Sequence, residues 1–310
     1  MTGGVKGKTD ASWLDGRCAS KFMDSATAQV TPLELTRKLM QAAVDSGAEL
    51  VTGIVNGISI VEGKVVGVSL QDDEELIPAD KVVLCAGPWS GVMAEDFLGL
   101  HLPMDGVKST SLIYKAGEVV KAEPFACFCE EDDFGCHLEI YPRSTGELCT
   151  ITLFYPVKIR IYLLVFVIDI CGCGESDYVS GDRLRKGGDC EAPELIDADT
   201  SRVQAASASF RSMTSLGNTA PDVIQACMRP CTPDGLPVMG AVEGIEGAYL
   251  SCGHNCWGIL WAPISGKAMA ELIVTGSASS VDLRPFKPGR FMSKARRGRK
   301  KGMMEVGEQW

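Results

Sequence analysis

The segment Gly247-Ala-Tyr-Leu-Ser-Cys-Gly-His-Asn-Cys-Trp-Gly-Ile-Leu-Trp-Ala-Pro-Ile-Ser-Gly266 constrains this chain more than any other. Ala248–Cys252 reads as a strand, Gly253 to Gly258 as a glycine-bounded turn, and Ile259–Gly276 as a helix with apolar positions Ile259, Leu260, Ile264, Met269, Leu272 and Ile273. A helix that starts at such a turn aims its first backbone N–H groups at whatever the turn cradles, and its positive dipole end favours anionic oxygens. A second segment has the same grammar. The apolar strand Lys81–Cys85 runs into Ala86-Gly87, and Pro88-Trp89-Ser90 turns away. Small residues at a strand end let backbone approach a ligand closely.

Other elements follow from spacing. Thr31-Pro32-Leu33-Glu34 predicts a helix start, with Thr31 as N-cap, Pro32 in the first helical position and Glu34 as the capping acid. Leu35, Leu39, Ala42 and Ala43 give its apolar stripe, and Ser46-Gly47 ends it. Strands are predicted over Glu49–Val55, Ile58–Val61 and Val65–Leu70, separated by the turn pairs Asn56-Gly57 and Glu62-Gly63. A second group covers Val107–Tyr114, Ala126–Cys129, Cys136–Tyr141 and a run after Gly146; Ala192–Leu216 reads as helical and Val238–Met239 as a late strand. The mixture predicts an α+β (mixed α/β) fold.

At 310 residues with 45% hydrophobic and 23% charged content, the chain can build a sizeable core, as two modest domains or one large one. A net charge of -10 and a pI near 4.9 argue against a general nucleic-acid binder. The 13 cysteines follow no secretory leader, which predicts reduced thiols in an intracellular, cytoplasmic protein. The pairs Cys127/Cys129, Cys171/Cys173, Cys227/Cys231 and Cys252/Cys256 lack zinc-site spacing, so no metal is expected. The longest uncharged apolar run, Ile161–Ile168, falls far short of the ~20 residues a membrane span needs. Arg284 through Lys301 carries nine basic residues and no acid, predicting a solvated tail, with a nuclear signal or anionic-surface patch as the other reading.

A third segment, Cys227-Met-Arg-Pro-Cys-Thr-Pro-Asp-Gly-Leu-Pro-Val-Met-Gly240, completes a pattern. Val82-Val-Leu-Cys-Ala-Gly-Pro-Trp-Ser90, Arg229-Pro-x-Thr-Pro-Asp-Gly-Leu-Pro-x-x-Gly240 and Gly253-His-x-x-x-Gly258 with Ala262-Pro263 and Gly266 together resemble the FAD-dependent oxidoreductases of D-amino-acid oxidase, glycine oxidase and sarcosine oxidase type. The resemblance spans about Gln29 to Ile273. It implies a flavin-binding domain interleaved with an antiparallel-sheet substrate domain, and oxidation of a C–N bond of a small amine or amino acid by hydride transfer to flavin N5. By the same resemblance FAD is the cofactor, with Gly87 and Trp89 near it and Gly253, His254, Trp257 and Gly258 lining its ring. Arg229 would take the substrate carboxylate, for which a planar guanidinium is suited. Cys227 falls where some relatives attach flavin through a thioether.

Two departures stand beside the resemblance. No Gly-x-Gly-x-x-Gly follows an apolar strand, since Gly3-Gly4 and Gly7 lie in a polar stretch, so the chain reads as N-terminally incomplete, without the first Rossmann βαβ unit. Residues 150–170 read as an insertion, a retained intron or a lineage-specific strand pair. The expected organisation is a flexible 1–25, the remainder of the FAD-binding domain over 26–100 and 222–283, a substrate domain over 101–221, and a basic tail over 284–310. The alternative to an enzyme is a non-catalytic binding or trafficking module derived from the same fold.

Overall fold

The computed structural model describes residues 13–16, 21, 26, 28–71, 75–116, 120, 125–143, 167–171 and 177–291. In chain order the elements used below are α1 (Pro32–Asp45), β1 (Val55–Val61), β2 (Lys64–Leu70), β3 (Ile77–Pro78), β4 (Val82–Leu84), α2 (Ser90–Leu98), β5 (Asp105–Lys115), β6 (Cys127–Phe128), β7 (Glu139–Arg143), β8 (Val167–Cys171), β9 (Asp177–Val179), α3 (Gly181–Leu184), α4 (Thr200–Met213), β10 (Val223–Cys231), β11 (Val238–Ala241), β12 (Ala248–Cys252) and α5 (Gly258–Thr275). The fold is mixed α/β with small sheets. The chain divides into two compact units: Met1–Asp45, Ser109–Glu175 and Asp197–Cys227 form the first, and Ser46–Lys108, Ser176–Ile196 and Met228–Trp310 the second.

In the first unit, strands β5, β8, β7 and β6 lie side by side, with β10 on the far side of β5. Leu112, Tyr114, Leu138, Ile140 and Phe210 are buried there, and the Tyr114 and Phe210 rings meet at 4.8 Å. Helix α4 brings in Ala206 and Phe210 and starts at Asp199, whose carboxylate accepts the Arg202 N–H at 3.0 Å. β8 pairs antiparallel with both β5 and β7. The last residues of the expected insertion are therefore a central strand; residues 150–166 lie outside the described residues, as does the strand expected after Gly146. The apolar stripe expected on α1 is not buried: no residue of that helix is, and Leu39 is 50% exposed.

The second unit holds two three-stranded sheets. In the first, β1, β2 and β3 form an antiparallel meander. Glu62 (φ 49°) and Gly63 (φ 77°) make the β1–β2 turn with the two positive φ values such a hairpin needs. Asn56-Gly57, expected as a turn, instead lies inside β1 at a register shift between Val55 and Gly57, and the strand expected from Glu49 starts only at Val55. Neither Asn56 nor Gly57 adopts positive φ, so the pair bulges the strand without reversing it.

The other sheet has the order β11-β12-β4, with β12 antiparallel to β11 and parallel to β4. Leu84, Leu102, Met104, Val238, Leu250 and Phe291 form its core on one side, and Met239, Ala268 and Met269 bury α5 on the other. The predicted solvated tail is corrected over its first residues. Arg284–Phe286 and Pro288–Phe291 are short 3-10 turns, and Phe291 is buried in the core. An aromatic side chain and a paired arginine outweigh the solvation of the basic groups there. Residues 292–310 lie outside the described residues.

Candidate functional site

Parallel pairing of β4 and β12 is what assembles the site. Leu84 stands opposite Leu250, so both strands end at the same edge of the sheet. β4 delivers Gly87 and Trp89 there, and β12 delivers Gly253, His254, Trp257 and Gly258. Clefts at the carboxyl ends of parallel strands are where open α/β sheets bind ligands. Each strand end passes through a 3-10 turn, Gly87–Trp89 or Asn255–Trp257, before its helix begins.

Gly87 has φ 55°, and a Cβ placed on it would meet nothing within 4 Å. The turn is thus open on that side. Ser90, the first residue of α2, is completely buried, and its hydroxyl has no hydrogen-bond partner of normal geometry. The Cys252 thiol is near enough for this hydroxyl to pull its pKa down against the larger effect of burial. Gly253, by contrast, is enclosed. With φ 74°, its Cβ would lie 3.0 Å from the Thr232 methyl and 3.3 Å from the Met104 terminal methyl. Trp89 spends its indole N–H on the Cys190 carbonyl at 3.0 Å and packs with Val92, Val179 and Leu184, so its ring shapes the turn from behind.

The His254 ring is half-buried. Its Nε2 lies 2.9 Å from the Ser265 hydroxyl, and burial holds the imidazole below the usual histidine value. Asn255 has φ 53°, a conformation rare outside glycine. Its side-chain oxygen accepts the Cys256 N–H at 2.8 Å and the Cys231 thiol at 3.2 Å, which offsets that strain. Burial pushes the Cys231 thiol up to about 11, against the opposing charge of Arg229, so it remains a proton donor. Trp257 stacks on Trp261, one turn further along, with ring centres 5.7 Å apart.

Arg229 belongs to the second unit and its charge reaches Cys231, which joins it to the loop around Asn255. It is half-buried, and among the described residues its guanidinium has no hydrogen bond or ion pair. Cys227 belongs to the first unit and precedes Arg229 by two positions on β10. It is exposed at the end of the first unit, 3.4 Å from the Ser109 hydroxyl. Sequence reasoning missed Ser90, Cys231, Asn255 and Ser265. Only Ser265 carried a signal, as a polar residue at helical spacing with the buried Ala268 and Met269 and the partly buried Leu272. Among the described residues no group of three or more His, Cys, Asp or Glu is placed to hold a metal, and no helix is long and apolar enough to cross a membrane.

Two glycine turns at the carboxyl ends of neighbouring parallel strands, each leading into a helix, are the arrangement of a nucleotide-type cofactor site. Residues 8–272 match the family described as DAO, FAD dependent oxidoreductase, and the chain belongs to that family. It is 28% identical over 234 residues to the glycine oxidase of Pseudomonas putida, covering 76% of this chain and 52% of that protein. It is 24% identical over 260 residues to the D-amino acid dehydrogenase of Rhizobium rhizogenes, covering 83% and 51%. The chain thus spans about half the length of these relatives. The crystal structure of L-proline dehydrogenase from P. horikoshii shares the fold with a TM-score of 0.60 at 18% identity, over 84% of this chain and 60% of that one. FAD is the family's cofactor, and the left-handed Gly87 with open space where a side chain would stand fits a group lying across these turns.

Proposed function

We propose that this chain carries the ring-facing half of a flavin site and, through it, oxidises the C–N bond of a small amine or amino acid. The observation that carries the reading is the pair of turns at Gly87 and Gly253, set side by side by β4 and β12, with open space where a Gly87 side chain would stand. Bound FAD would supply the acceptor for the hydride that leaves the substrate carbon. Gly87 would let backbone approach the cofactor, and Gly253, His254, Trp257 and Gly258 would border the ring. The start of α5 would favour negative charge on the reduced ring, because unpaired N–H groups face outward at a helix N-terminus.

Arg229 would hold the substrate carboxylate. A half-buried guanidinium with no ion pair among the described residues can take an incoming carboxylate with two parallel hydrogen bonds. The low basicity of His254 keeps a second positive charge away from the amine that must approach as a neutral donor. The relatives' names, glycine oxidase and D-amino acid dehydrogenase, favour an amino acid over a simple amine.

The test has two stages. FAD is titrated into the purified chain while tryptophan fluorescence and flavin absorbance are followed; binding near one equivalent supports the placement, and no binding at saturating FAD rejects it. The loaded protein is then given glycine, D- and L-amino acids and uncharged amines under anaerobic conditions. Bleaching of the flavin band by amino acids supports the reaction, and no bleaching by any of them rejects it.

A further inference from the structure

We propose that Ser265 is a positioning residue for the flavin site: its hydroxyl donates to His254 Nε2, so that the ring carries its proton on Nδ1 and offers that N–H to the bound ligand. The proposal rests on the placement of the flavin argued above.

The geometry is specific. Ser265 lies within α5 and is only 6% exposed, yet it reaches back 11 residues to the ring at 2.9 Å. Its hydroxyl has one proton to place. Among the described residues the His254 ring is the partner found for it, so donation to the bare Nε2 lone pair satisfies both groups at once. The opposite arrangement, Nε2–H donating to serine, would leave the buried hydroxyl proton without an acceptor, at the cost of an unmade hydrogen bond. A neutral ring with Nε2 as acceptor must hold its proton on Nδ1. Nδ1 has no protein partner among the described residues.

The backbone on either side of the ring is fixed as well. Gly253 sits against Thr232 and Met104, and Asn255 is tied to Cys256 and Cys231. The ring therefore has little freedom except rotation about its own side-chain bonds, and the Ser265 contact removes that. A ring so held presents one donor in one direction, which is what a site for an electron-rich ring edge or a carboxylate oxygen requires.

The chain has three histidines, which makes the test direct. His101 and His137 are exposed beside Glu95 and Glu131 and serve as internal controls. The full chain is labelled with nitrogen-15 histidine and its ring nitrogens are observed at about pH 8, above the ordinary histidine value. The expected result is a His254 ring protonated on Nδ1. Ser265→Ala should shift His254 to the tautomer mixture of the exposed rings, and Ser265→Thr should restore the Nδ1–H form. A proton found on Nε2, or His254 signals unmoved by Ser265→Ala, overturns the proposal. FAD is then added. A shift of the His254 Nδ1 signal with His101 and His137 unmoved supports donation to the ligand. If FAD binds and His254 does not respond, the placement of the flavin beside this ring fails, while the tautomer result still decides the role of Ser265.

Discussion

Arg290 grips the carboxylate of Asp234 from 56 positions further along the chain, with Nε 2.8 Å from one oxygen and Nη2 3.1 Å from the other. The same guanidinium donates to the Leu236 and Phe286 carbonyls and lies 4.2 Å from the centre of the Phe291 ring. Asp234 in turn accepts from the Thr232 hydroxyl and the Leu236 N–H. Burial pushes the Asp234 carboxyl up, but Arg290 and these donors outweigh it and leave the group below the ordinary carboxylate value. The pair thus pins the turn at Thr232–Leu236, beside Gly253, to the segment that closes the core with Phe291. Arg290→Ala should lower stability by about 1–3 kcal/mol, because several charge-assisted hydrogen bonds to a 16%-exposed side chain are lost together. Arg290→Lys should recover less than half of that, since one ammonium cannot reproduce the fork. Urea denaturation reads both; a loss below about 0.5 kcal/mol would mark the contact as an ordinary surface pair.

The two glycines of the site should separate stability from binding. Gly87→Ala carries only the left-handed backbone penalty, about 1–2 kcal/mol, because its Cβ enters open space. Gly253→Ala adds a close approach to Thr232 and Met104 and should cost about 1–3 kcal/mol more. Gly87→Ala should nevertheless weaken FAD binding at least about tenfold, the expected order for intruding on a close backbone contact. Thermal melting and flavin titration on both variants check the contrast, and Gly87→Ala with unchanged FAD affinity would remove this turn from the site.

Arg229→Ala should raise KM for an amino acid about 10- to 1000-fold, the range for losing one partner of a desolvated charge pair, with a smaller change in kcat. Arg229→Lys should recover only part of the loss. Uncharged amines should be indifferent to either change. Steady-state kinetics on matched amino-acid and amine substrates decide it, and an equal loss on both would show a structural role.

Thiol reactivity should follow burial. Burial pushes Cys252 up to about 12 and Cys231 up to about 11, whereas Cys227 and Cys256 are exposed. Iodoacetamide at pH 8 should therefore modify Cys227 and Cys256 in the folded chain and reach Cys231 and Cys252 only after unfolding. Peptide mass spectrometry over a time course reads the order.

Glu271 predicts an acid-sensitive contact. The Ser280 hydroxyl and N–H, followed by Ser279, hold its carboxyl at about 2. A carboxyl lowered by folding contributes stability that is complete above its unfolded value, about 4.5, and is lost as pH falls toward 2. Glu271→Gln should flatten the decline in stability across that window and leave the curve above it parallel to the parent. Denaturation at a series of pH values checks this, and a parallel acid limb in both proteins would refute it.

The strands and turns that hold the site were legible because their signals are local. Lys81–Cys85 and Ala248–Cys252 were marked as strands by branched and aromatic residues, and the structure gives Val82–Leu84 and Ala248–Cys252. What could not be read was which face each element turns inward. Helix α5 is apolar around its circumference, so Ile259, Leu260 and Ile264 looked as buried as Met269. In the structure the buried stripe is Ser265, Ala268 and Met269, and Leu260 is 66% exposed. Asn56-Gly57 has the composition of a hairpin turn, but its neighbours on β2 hold it extended. Arg290 read as one more cation of a basic run, since nothing within the run reveals an acid 56 positions upstream.

The parallel pairing of β4 with β12 also sets a timetable. Val82 must wait for Ala248, which leaves the ribosome only after most of the chain. Until then the Gly87 turn has no counterpart, and its strand has an open hydrogen-bonding edge on the side β12 will occupy. Pairing across such a span is slow, because the loop must close before any contact rewards it. The cofactor turns should thus be among the last parts of the molecule to take shape during synthesis.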